Sequence, residues 1–397
     1  MERREGVAVA SGGAPRGAGR GFFERGDFLM RILVTGGSGF VGAQLAFYFA
    51  QRRHHVTVMD NLVRRGSELN LGRFQREGIE FVHGDVRNRE DFANLSGAVD
   101  VLVDASAQPS LVYGYANPVF DLTNNTFGLV NALEFARSRG CPLIFCSTNR
   151  VYSGDRVNAL PRREEATRWT WDAAAWAALP AGERAKGFDP AHGIAEEFSV
   201  DGGQHGVYGL SKIMADLACQ EYADAFGVPT VINRFGVLAG EGQFGKSEQG
   251  WTAWWAIAHH FGLPLRLIGW GGKQLRDVLF IEDVCRLVER EIEQVHRIAG
   301  QVFNAGGGAE HTVSLVEATE LMRKKFGRAV PVTIEAEARK ADLCVYFTDA
   351  RKAERVLGWT PRIGIEEGFE RIIAWVKENE EGLRGLYCGG QQVAAAR

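Results

Sequence analysis

Three glycines spaced three residues apart, directly after a short apolar run, constrain the fold of this chain more than any other feature. The run RILVT (31–35) is typical of a strand, Gly36, Gly39 and Gly42 follow it, and the next residues, AQLAFYFAQRR, have helical spacing. In such a turn the first glycine permits a tight bend, the second lets the backbone approach a pyrophosphate, and the third lets the helix pack on the strand. Free N–H groups at the helix N-terminus favour phosphate. The pattern predicts a βαβ unit that binds a dinucleotide, rather than a glycine-rich turn without a ligand.

An acid at the end of the next predicted strand, HVTVMD (55–60), supports this interpretation. Asp60 follows Gly42 by 18 residues, close to the roughly 20 expected for an acid that bonds the adenosine ribose hydroxyls. Its charge would repel a ribose phosphate, so the sequence favours NAD over NADP. Nearby Arg64 and Arg65 oppose that preference.

Apolar, β-rich runs alternate with helical stretches through the first 236 residues. Further predicted strands are EFVHGD (80–85), VDVLVDAS (99–106), PLIFCSTN (142–149) and PTVINRF (229–235). Strands that alternate with helices imply a parallel sheet covered on both faces. The predicted fold class is α/β: a Rossmann-type doubly wound parallel sheet with a smaller C-terminal substrate-binding domain.

The predicted domain boundaries follow from the places where this alternation breaks. Residues 154–206 are too long for a simple loop and hold Trp169, Trp171 and Trp176, which we expect to form the core of an insertion. The stretches GWTAWWAIAHHFG and TVSLVEATELMRKKFG read as helices, and QVFNAGG (301–307) reads as a strand that returns to the main sheet. The predicted divisions are 1–29, a disordered extension poor in apolar groups; 30–236, the NAD-binding domain with its insertion; 274–306, returning to that domain; and 237–273 with 307–397, the substrate-binding domain.

Composition excludes several classes of protein. A net charge of -3 and a pI near 6.3 lack the basic footprint of a nucleic-acid binder, and no apolar run approaches the ~20 residues that cross a membrane. The six cysteines form no Cys-x-x-Cys pair and the nine histidines no ligand-spaced cluster. We therefore predict reduced thiols, a cytoplasmic location and no metal site.

A tyrosine and a lysine four residues apart, Tyr208 and Lys212 in HGVYGLSK, share one face of a predicted helix. The pair alone is common by chance. Together with the glycine turn, however, the chain resembles the extended short-chain dehydrogenase/reductase family, and within it the nucleotide-sugar epimerases. The resemblance runs from Met30 to about Val376.

Several segments carry the resemblance further. CSTNRVY (146–152), HGDVRN (83–88), NTFGLVNALEFAR (125–137), GKQLRDVLFIEDV (272–284) and ARKADLCVYFTDARKAERVLGWTP (338–361) match family motifs, and EQGWTAWW (248–255) with GIAEEFSVDGGQHGVYGLSK (193–212) resembles the CDP-paratose 2-epimerases most closely. The implied catalytic residues are Thr148, Tyr208 and Lys212. The implied NAD-binding residues are Gly36, Gly39, Phe40, Val41, Gly42, Asp60, Asn61, Asp85, Val86, Asn125, Tyr208 and Lys212. The implied substrate-binding residues are Gln108, Asn149, Arg234, Trp251, Arg276 and Arg339. A homodimer is a further family expectation.

The chain also departs from the family pattern. Many relatives have His-Leu-Ala-Gly-Gln where this chain has DASAQ, so Asp104 replaces a histidine while Gln108 is shared. The insertion at 154–206 has no clear counterpart. Trp251 either packs in the second domain or forms a platform for sugar or base, and Arg339 is either a surface charge or a nucleotide contact.

The chemistry implied by the resemblance is acid–base work at Tyr208. The ammonium of Lys212 and the positive nicotinamide ring would lower the pKa of Tyr208, which would then remove a sugar hydroxyl proton while hydride passes to NAD⁺. The predicted function is NAD-dependent epimerisation of a nucleotide-linked sugar through a keto intermediate, of the CDP-paratose/CDP-tyvelose type at carbon 2. A nucleotide-sugar 4-epimerase or dehydratase, and a catalytically silent NAD-binding regulator, remain as alternatives.

Overall fold

A computed structural model describes residues 29–247 and 249–388 of the chain. Of the predicted disordered extension only Leu29 lies within these residues, so that prediction falls outside what the structure describes, as do the last nine residues of the predicted substrate-binding domain.

The described residues form a seven-stranded sheet, a four-stranded sheet and three strand pairs. The strands are β1 Arg31–Thr35, β2 His55–Asp60, β3 Glu80–His83, β4 Val101–Asp104, β5 Leu143–Thr148, β6 Arg162–Glu164, β7 Trp169–Trp171, β8 Phe188–Asp189, β9 Gly193–Ile194, β10 Thr230–Phe235, β11 Val237–Ala239, β12 Leu265–Ile268, β13 Leu275–Phe280, β14 Gln301–Ala305, β15 Thr312–Ser314, β16 Val332–Glu335 and β17 Val345–Tyr346.

Fifteen α-helices accompany these strands in the described part of the chain. They are α1 Phe40–Gln51, α2 Leu71–Glu77, α3 Arg89–Ala93, α4 Leu111–Ala116, α5 Pro118–Leu122, α6 Gly128–Arg139, α7 Gly154–Asn158, α8 Ala173–Ala178, α9 Gly206–Phe226, α10 Trp251–Phe261, α11 Ile281–Gln294, α12 Leu315–Phe326, α13 Arg351–Leu357, α14 Ile365–Glu378 and α15 Glu380–Tyr387.

The main sheet confirms the predicted fold class. Its strands run in the order β14-β10-β5-β4-β1-β2-β3, and all of its pairings are parallel. Both faces are buried, because Ile32 and Val34 of β1 join one core while Leu33 joins the core on the opposite face. Helices α1 and α11 contribute to the first core, and α6 and α9 to the second. The segment QVFNAGG does return to this sheet as β14, beside β10.

The four-stranded sheet holds β11, β13, β15 and β17, and a separate core joins α10, α12 and α14. Residues 274–306 were predicted to return to the NAD-binding domain. Strand β13 at their start pairs with β11, β15 and β17 rather than with a strand of the main sheet. The return therefore begins with α11, whose apolar face joins the main-sheet core.

The insertion at 154–206 folds as α7, two short antiparallel strand pairs and α8. Trp171 is buried and meets Phe188 edge-on, with ring centroids 5.0 Å apart, and Trp176 meets the same ring at 4.8 Å. The tryptophans therefore belong to the core of the insertion, as predicted. That core also includes Leu343 and Phe347, so the insertion packs on the C-terminal part of the chain.

Candidate active site

The glycine turn lies where the order of the main sheet reverses, between β1 and β4. Gly36 has a φ of +63°, and a Cβ added there would stand 2.5 Å from the Cα of Ser106. A Cβ on Gly42 would stand 2.4 Å from the carbonyl oxygen of Gly36. Gly39 has more room, since its nearest neighbour would be that same oxygen at 3.2 Å. Gly36 and Gly42 thus permit close packing of backbone, while Gly39 lines an open cavity.

That cavity follows the carboxyl ends of the strands around the turn, where dinucleotides bind in sheets of this order. Its lining includes Gly39, Asp60, Asn61 and Val86. Helix α1 begins after Gly39 without a side-chain cap, so Phe40 and Val41 contribute free backbone N–H groups at its N-terminus. The cavity therefore joins an anion-binding helix end to an acidic strand end.

Asp60 is anchored by backbone donors rather than by a cation. Its Oδ2 accepts from Ser38 N at 3.0 Å and its Oδ1 from Leu62 N at 2.8 Å. Burial raises the pKa of Asp60, and these hydrogen bonds oppose the rise. Arg64, which the sequence set against an NAD preference, donates to Gln249 Oε1 at 2.5 Å. One of the two nearby guanidinium groups is therefore already engaged by the protein.

Asp85 lies next to Asn61, a residue of the cavity wall. It accepts from Asn61 Nδ2 at 2.9 Å and pairs with Arg87 at 2.6 Å. The hydrogen bond from Arg87 lowers the pKa of Asp85 to about 2. Val86 is buried and lines the cavity, as does Asn61, the hydrogen-bond partner of Asp85.

The three predicted catalytic residues lie together at the carboxyl end of β5. Tyr208 and Lys212 stand one turn apart on α9, which packs against β5 and the turn that follows Thr148. Thr148 ends β5 and also accepts from Arg150 N at 3.2 Å. The Lys212 ammonium is fully buried and lies 4.1 Å from the centroid of the Phe145 ring.

The expected low pKa of Tyr208 is not a property of the polypeptide by itself. Burial raises the pKa of Tyr208 to about 12, and the hydrogen bond with Thr148 only partly offsets the rise. Burial also lowers the pKa of Lys212, although nearby Asp104 opposes this most strongly. The lowered pKa was predicted from Lys212 together with the positive nicotinamide ring, so it stays a prediction for the enzyme with NAD bound.

A buried carboxylate that the sequence analysis missed organises the other side of this site. Asp121 Oδ1 accepts from Ser211 Oγ at 2.6 Å and Asn125 Nδ2 at 2.9 Å, while Oδ2 accepts from Gln108 Nε2 at 2.8 Å. Asn125 also accepts from Gln108 N at 2.7 Å. Asn125 and Gln108 thus hold each other and α9 in place. The signal in the sequence was the spacing of Asp121 and Asn125, which puts both on one helix face.

Arg234, predicted to bind substrate, is instead committed to the protein. It is 5% exposed, and its guanidinium lies 2.9 and 3.1 Å from the two carboxylate oxygens of Asp216. Tyr152 accepts a further hydrogen bond from it at 3.2 Å. Strand β10 aims this side chain at α9, so the structure gives it a structural ion pair. Asn149, by contrast, lies beside Thr148, whose hydroxyl is 3.4 Å from its amide oxygen.

Arg276 shares a carboxylate with a second arginine that sequence reasoning did not find. Arg276 and Arg150 both donate to Asp342 Oδ1, at 3.0 and 2.9 Å. Arg276 also donates to the carbonyl oxygens of Leu275, Leu343 and Cys344. These two cations lower the pKa of Asp342 to about 2 against the effect of burial. The predicted diphosphate contact is thus part of a cluster that joins β5 to the C-terminal segment.

Trp251 and Arg339 are the two remaining predicted substrate residues, and Trp251 packs against the core of α10, α12 and α14. Trp251 is half-buried, with ring centroids 5.7 Å from Trp255 and 6.4 Å from Phe369, so the packing alternative describes its contacts. Arg339 donates to Ser247 O at 3.3 Å. Ser247 in turn lines a cavity with Arg65, Lys246, Trp254 and Tyr387, apart from the catalytic residues.

Comparison with known proteins decides which family these features represent. The profile of the NAD dependent epimerase/dehydratase family matches residues 32–174 and 185–306. The chain belongs to this family. CDP-paratose 2-epimerase of Salmonella typhi is 32% identical over 356 residues, which cover 87% of this chain and 99% of the relative. UDP-glucuronate 4-epimerase of Thermodesulfobacterium geofontis is 24% identical over 367 residues, which cover 89% of this chain and 98% of that relative.

Solved structures show the same fold. Pal from Bacillus thuringiensis has a TM-score of 0.72 at 23% identity, covering 88% of this chain and 99% of that chain. UDP-glucose 4-epimerase of Thermotoga maritima has a TM-score of 0.69 at 23% identity, covering 88% of this chain and 100% of its own.

Membership in the NAD-dependent epimerase/dehydratase family makes NAD the cofactor, and the residues present fit it. Gly39 leaves the backbone approachable at the helix end, Asp60 offers carboxylate oxygens, and Lys212 Nζ is buried without a hydrogen-bond acceptor among the described residues. Across residues 29–247 and 249–388 there is no His/Cys/Asp/Glu cluster that could hold a metal ion. Within the same residues, no helix is long and apolar enough to cross a bilayer.

Proposed function

We propose that this enzyme epimerises a nucleotide-linked sugar through a transient keto intermediate, and that its substrate is a CDP-linked dideoxyhexose of the paratose/tyvelose type, inverted at carbon 2. The observation that carries the proposal is that Thr148, Tyr208 and the buried ammonium of Lys212 lie together at the carboxyl end of β5. The choice of sugar follows the 32% identity to a CDP-paratose 2-epimerase over nearly the whole of both chains.

Proton transfer is the task of Tyr208. Thr148 would hold the sugar hydroxyl by hydrogen bonding while Tyr208 takes its proton, and the same phenol would return the proton when the ketone is reduced. NAD, held by Gly39, Asp60 and Lys212, would supply the hydride acceptor and donor, and its nicotinamide ring would add the positive charge that the phenolate needs. The Lys212 ammonium, one helical turn away, also stabilises the phenolate of Tyr208. Thr148 and Lys212 are 7% and 1% exposed, which limits the access of water to the proton path.

Inversion requires that the sugar turn while the nucleotide stays held. The proposed anchors are Arg276 and Arg339, which lie in the C-terminal half, away from the glycine turn at Gly36. Arg150 and Arg276 both donate to Asp342, so we add Arg150 to the proposed anchors. Binding energy at the nucleotide then holds the substrate without fixing which face the sugar presents.

The neighbour of Thr148 bears on the alternatives. A dehydratase would need an acid beside Thr148, and that position holds the buried amide of Asn149. A 4-epimerase would use the same triad on another carbon, and it remains the second candidate because UDP-glucuronate 4-epimerase is among the relatives. A silent regulator would have no need to retain Thr148, Tyr208 and Lys212.

The test is incubation of the enzyme with CDP-, UDP- and dTDP-linked sugars, with products identified by NMR and with Tyr208→Phe as control. We expect interconversion of CDP-paratose and CDP-tyvelose that the control lacks. Inversion at carbon 4 would make the enzyme a 4-epimerase, and loss of water would make it a dehydratase. If no nucleotide sugar in the panel reacts, the silent regulator is the remaining candidate.

We further propose a homodimer in the cytoplasm. Leu210, Met214 and Leu217 form one stripe of α9 and are 43%, 41% and 51% exposed, beside exposed Val119 and Phe127. An apolar patch of this kind is typical of an interface. The six cysteines are free thiols, which suits a reducing compartment. Light scattering of wild type and Met214→Glu tests the dimer: we expect the substitution to halve the mass, and a wild-type monomer would contradict it.

A further inference from the structure

Asp104, the residue that departs from the family pattern, lies on the same face of the main sheet as the catalytic lysine. Thr35, Asp104 and Phe145 are register partners on the adjacent parallel strands β1, β4 and β5. Register partners point to the same face of a sheet. Because Lys212 Nζ lies 4.1 Å from the centroid of the Phe145 ring, its ammonium reaches the face that carries Asp104.

The Lys212 ammonium needs a compensating charge. It is 1% exposed, and its Nζ has no hydrogen-bond partner among the described residues. An ammonium taken out of water without compensation is costly. Titratable groups surround this ammonium on several elements. They are Asp104 on β4, Cys146 on β5, Asp121 on α5, and Tyr208, Asp216 and Cys219 on α9.

The other acids near Lys212 already have partners. Asp216 forms the two-pronged pair with Arg234, and Asp121 accepts from Ser211, Asn125 and Gln108. Asp104 belongs to no ion pair of the described residues. Three donors hold its Oδ1, namely Thr35 Oγ1 at 2.5 Å, Ser106 Oγ at 2.6 Å and Ser106 N at 3.2 Å. These bonds fix the carboxylate of a residue that is 1% exposed.

We propose that Asp104 is the charge partner that keeps the Lys212 ammonium inside the site, with Thr35 and Ser106 holding its carboxylate in place. Asp104 is a positioning residue, since it acts through Lys212. The charge pairing is a property of the folded protein without substrate. Only its effect on turnover rests on the proposed role of Lys212 in catalysis.

The test is a double-mutant cycle on unfolding of the full chain, using wild type, Asp104→Asn, Lys212→Met and the double variant. We expect Asp104→Asn to lower Tm by several degrees near pH 7, since it removes the carboxylate whose charge compensates the buried ammonium. In the Lys212→Met background the same change should have little effect. Equal losses in both backgrounds would overturn the pairing. If Asp104→Asn does not fold, the pairing requires that Lys212→Met restore the fold, and an unfolded double variant would also overturn it.

The pH dependence separates charge from packing. In Asp104→Asn the Lys212 pKa falls further below its unfolded value of ~10.4. The unfolded chain then binds more protons, so the stability deficit shrinks as pH rises toward that value. Thr35→Val keeps the charge of Asp104 and should show no such trend. A stability loss in Asp104→Asn that stays constant with pH would contradict the pairing, even if turnover were lost. Failure of every nucleotide sugar in the panel would contradict the proposed function and leave the pairing intact.

Discussion

Arg234 and Asp216 form a two-pronged ion pair in the interior, with Nε–Oδ2 and Nη2–Oδ1 distances of 2.9 and 3.1 Å. The pair ties β10 to α9 one turn beyond Lys212. A guanidinium held in this way has its donors aimed at the fold rather than at a ligand.

The first prediction is that Arg234→Gln destabilises the protein without weakening substrate affinity in the folded fraction. Removal of one partner leaves Asp216 buried and unpaired, which typically costs about 3–5 kcal/mol of unfolding free energy. Urea denaturation measures the loss, and Arg234→Gln with Asp216→Asn should recover part of it. A stable Arg234→Gln with a raised KM would instead restore Arg234 as a substrate contact.

The second prediction concerns the Tyr208 hydroxyl. Tyr208→Phe should fold and bind NAD but lose turnover by ~10² or more, the usual scale of acid–base catalysis. Steady-state kinetics and NAD binding on the same preparation check both parts. Near-normal turnover would remove Tyr208 as the base.

The third prediction is a pH effect of the Thr148 hydroxyl. Its hydrogen bond lowers the pKa of Tyr208, which burial raises to about 12. Activity needs the phenolate, so kcat should rise with pH, and Thr148→Val should move that rise to higher pH. Comparison of kcat–pH profiles is the measurement. A profile that keeps its position in Thr148→Val, with only its height reduced, would mean that Thr148 orients the sugar without acting on Tyr208.

The sequence predicted the parts of the site that depend on local spacing. Gly36, Gly39 and Gly42 lie within one turn, and Tyr208 and Lys212 lie on one helix, so their relations are visible in a few residues. Arg150 and Asp342 meet across 192 positions and Asp121 and Ser211 across 90, and such pairs leave no periodic trace. The helix predicted over 312–327 begins only at Leu315, because Ser314 and Glu317 form a capping box there. Burial, which no motif reveals, raises the pKa of Tyr208 to about 12.

The fourth prediction contrasts two glycines of the turn. Gly42→Ala should lower stability, because its Cβ would stand 2.4 Å from the carbonyl oxygen of Gly36. Gly39→Ala has its nearest contact at 3.2 Å and lines the cavity, so it should fold normally and weaken NAD binding. Thermal unfolding and NAD titration of both variants are the measurements, and equal effects of both changes would contradict the assignment of roles.

The central claim is that hydride leaves and returns at one sugar carbon within a single bound complex. The most direct test uses CDP-paratose with deuterium at carbon 2, catalytic amounts of NAD, and product analysis by mass spectrometry and nicotinamide absorbance. The account predicts CDP-tyvelose that retains the deuterium, with no net NADH. Release of NADH in proportion to product would make the enzyme a dehydrogenase, and loss of deuterium to water would show proton transfer in place of hydride return, so either result would contradict the account.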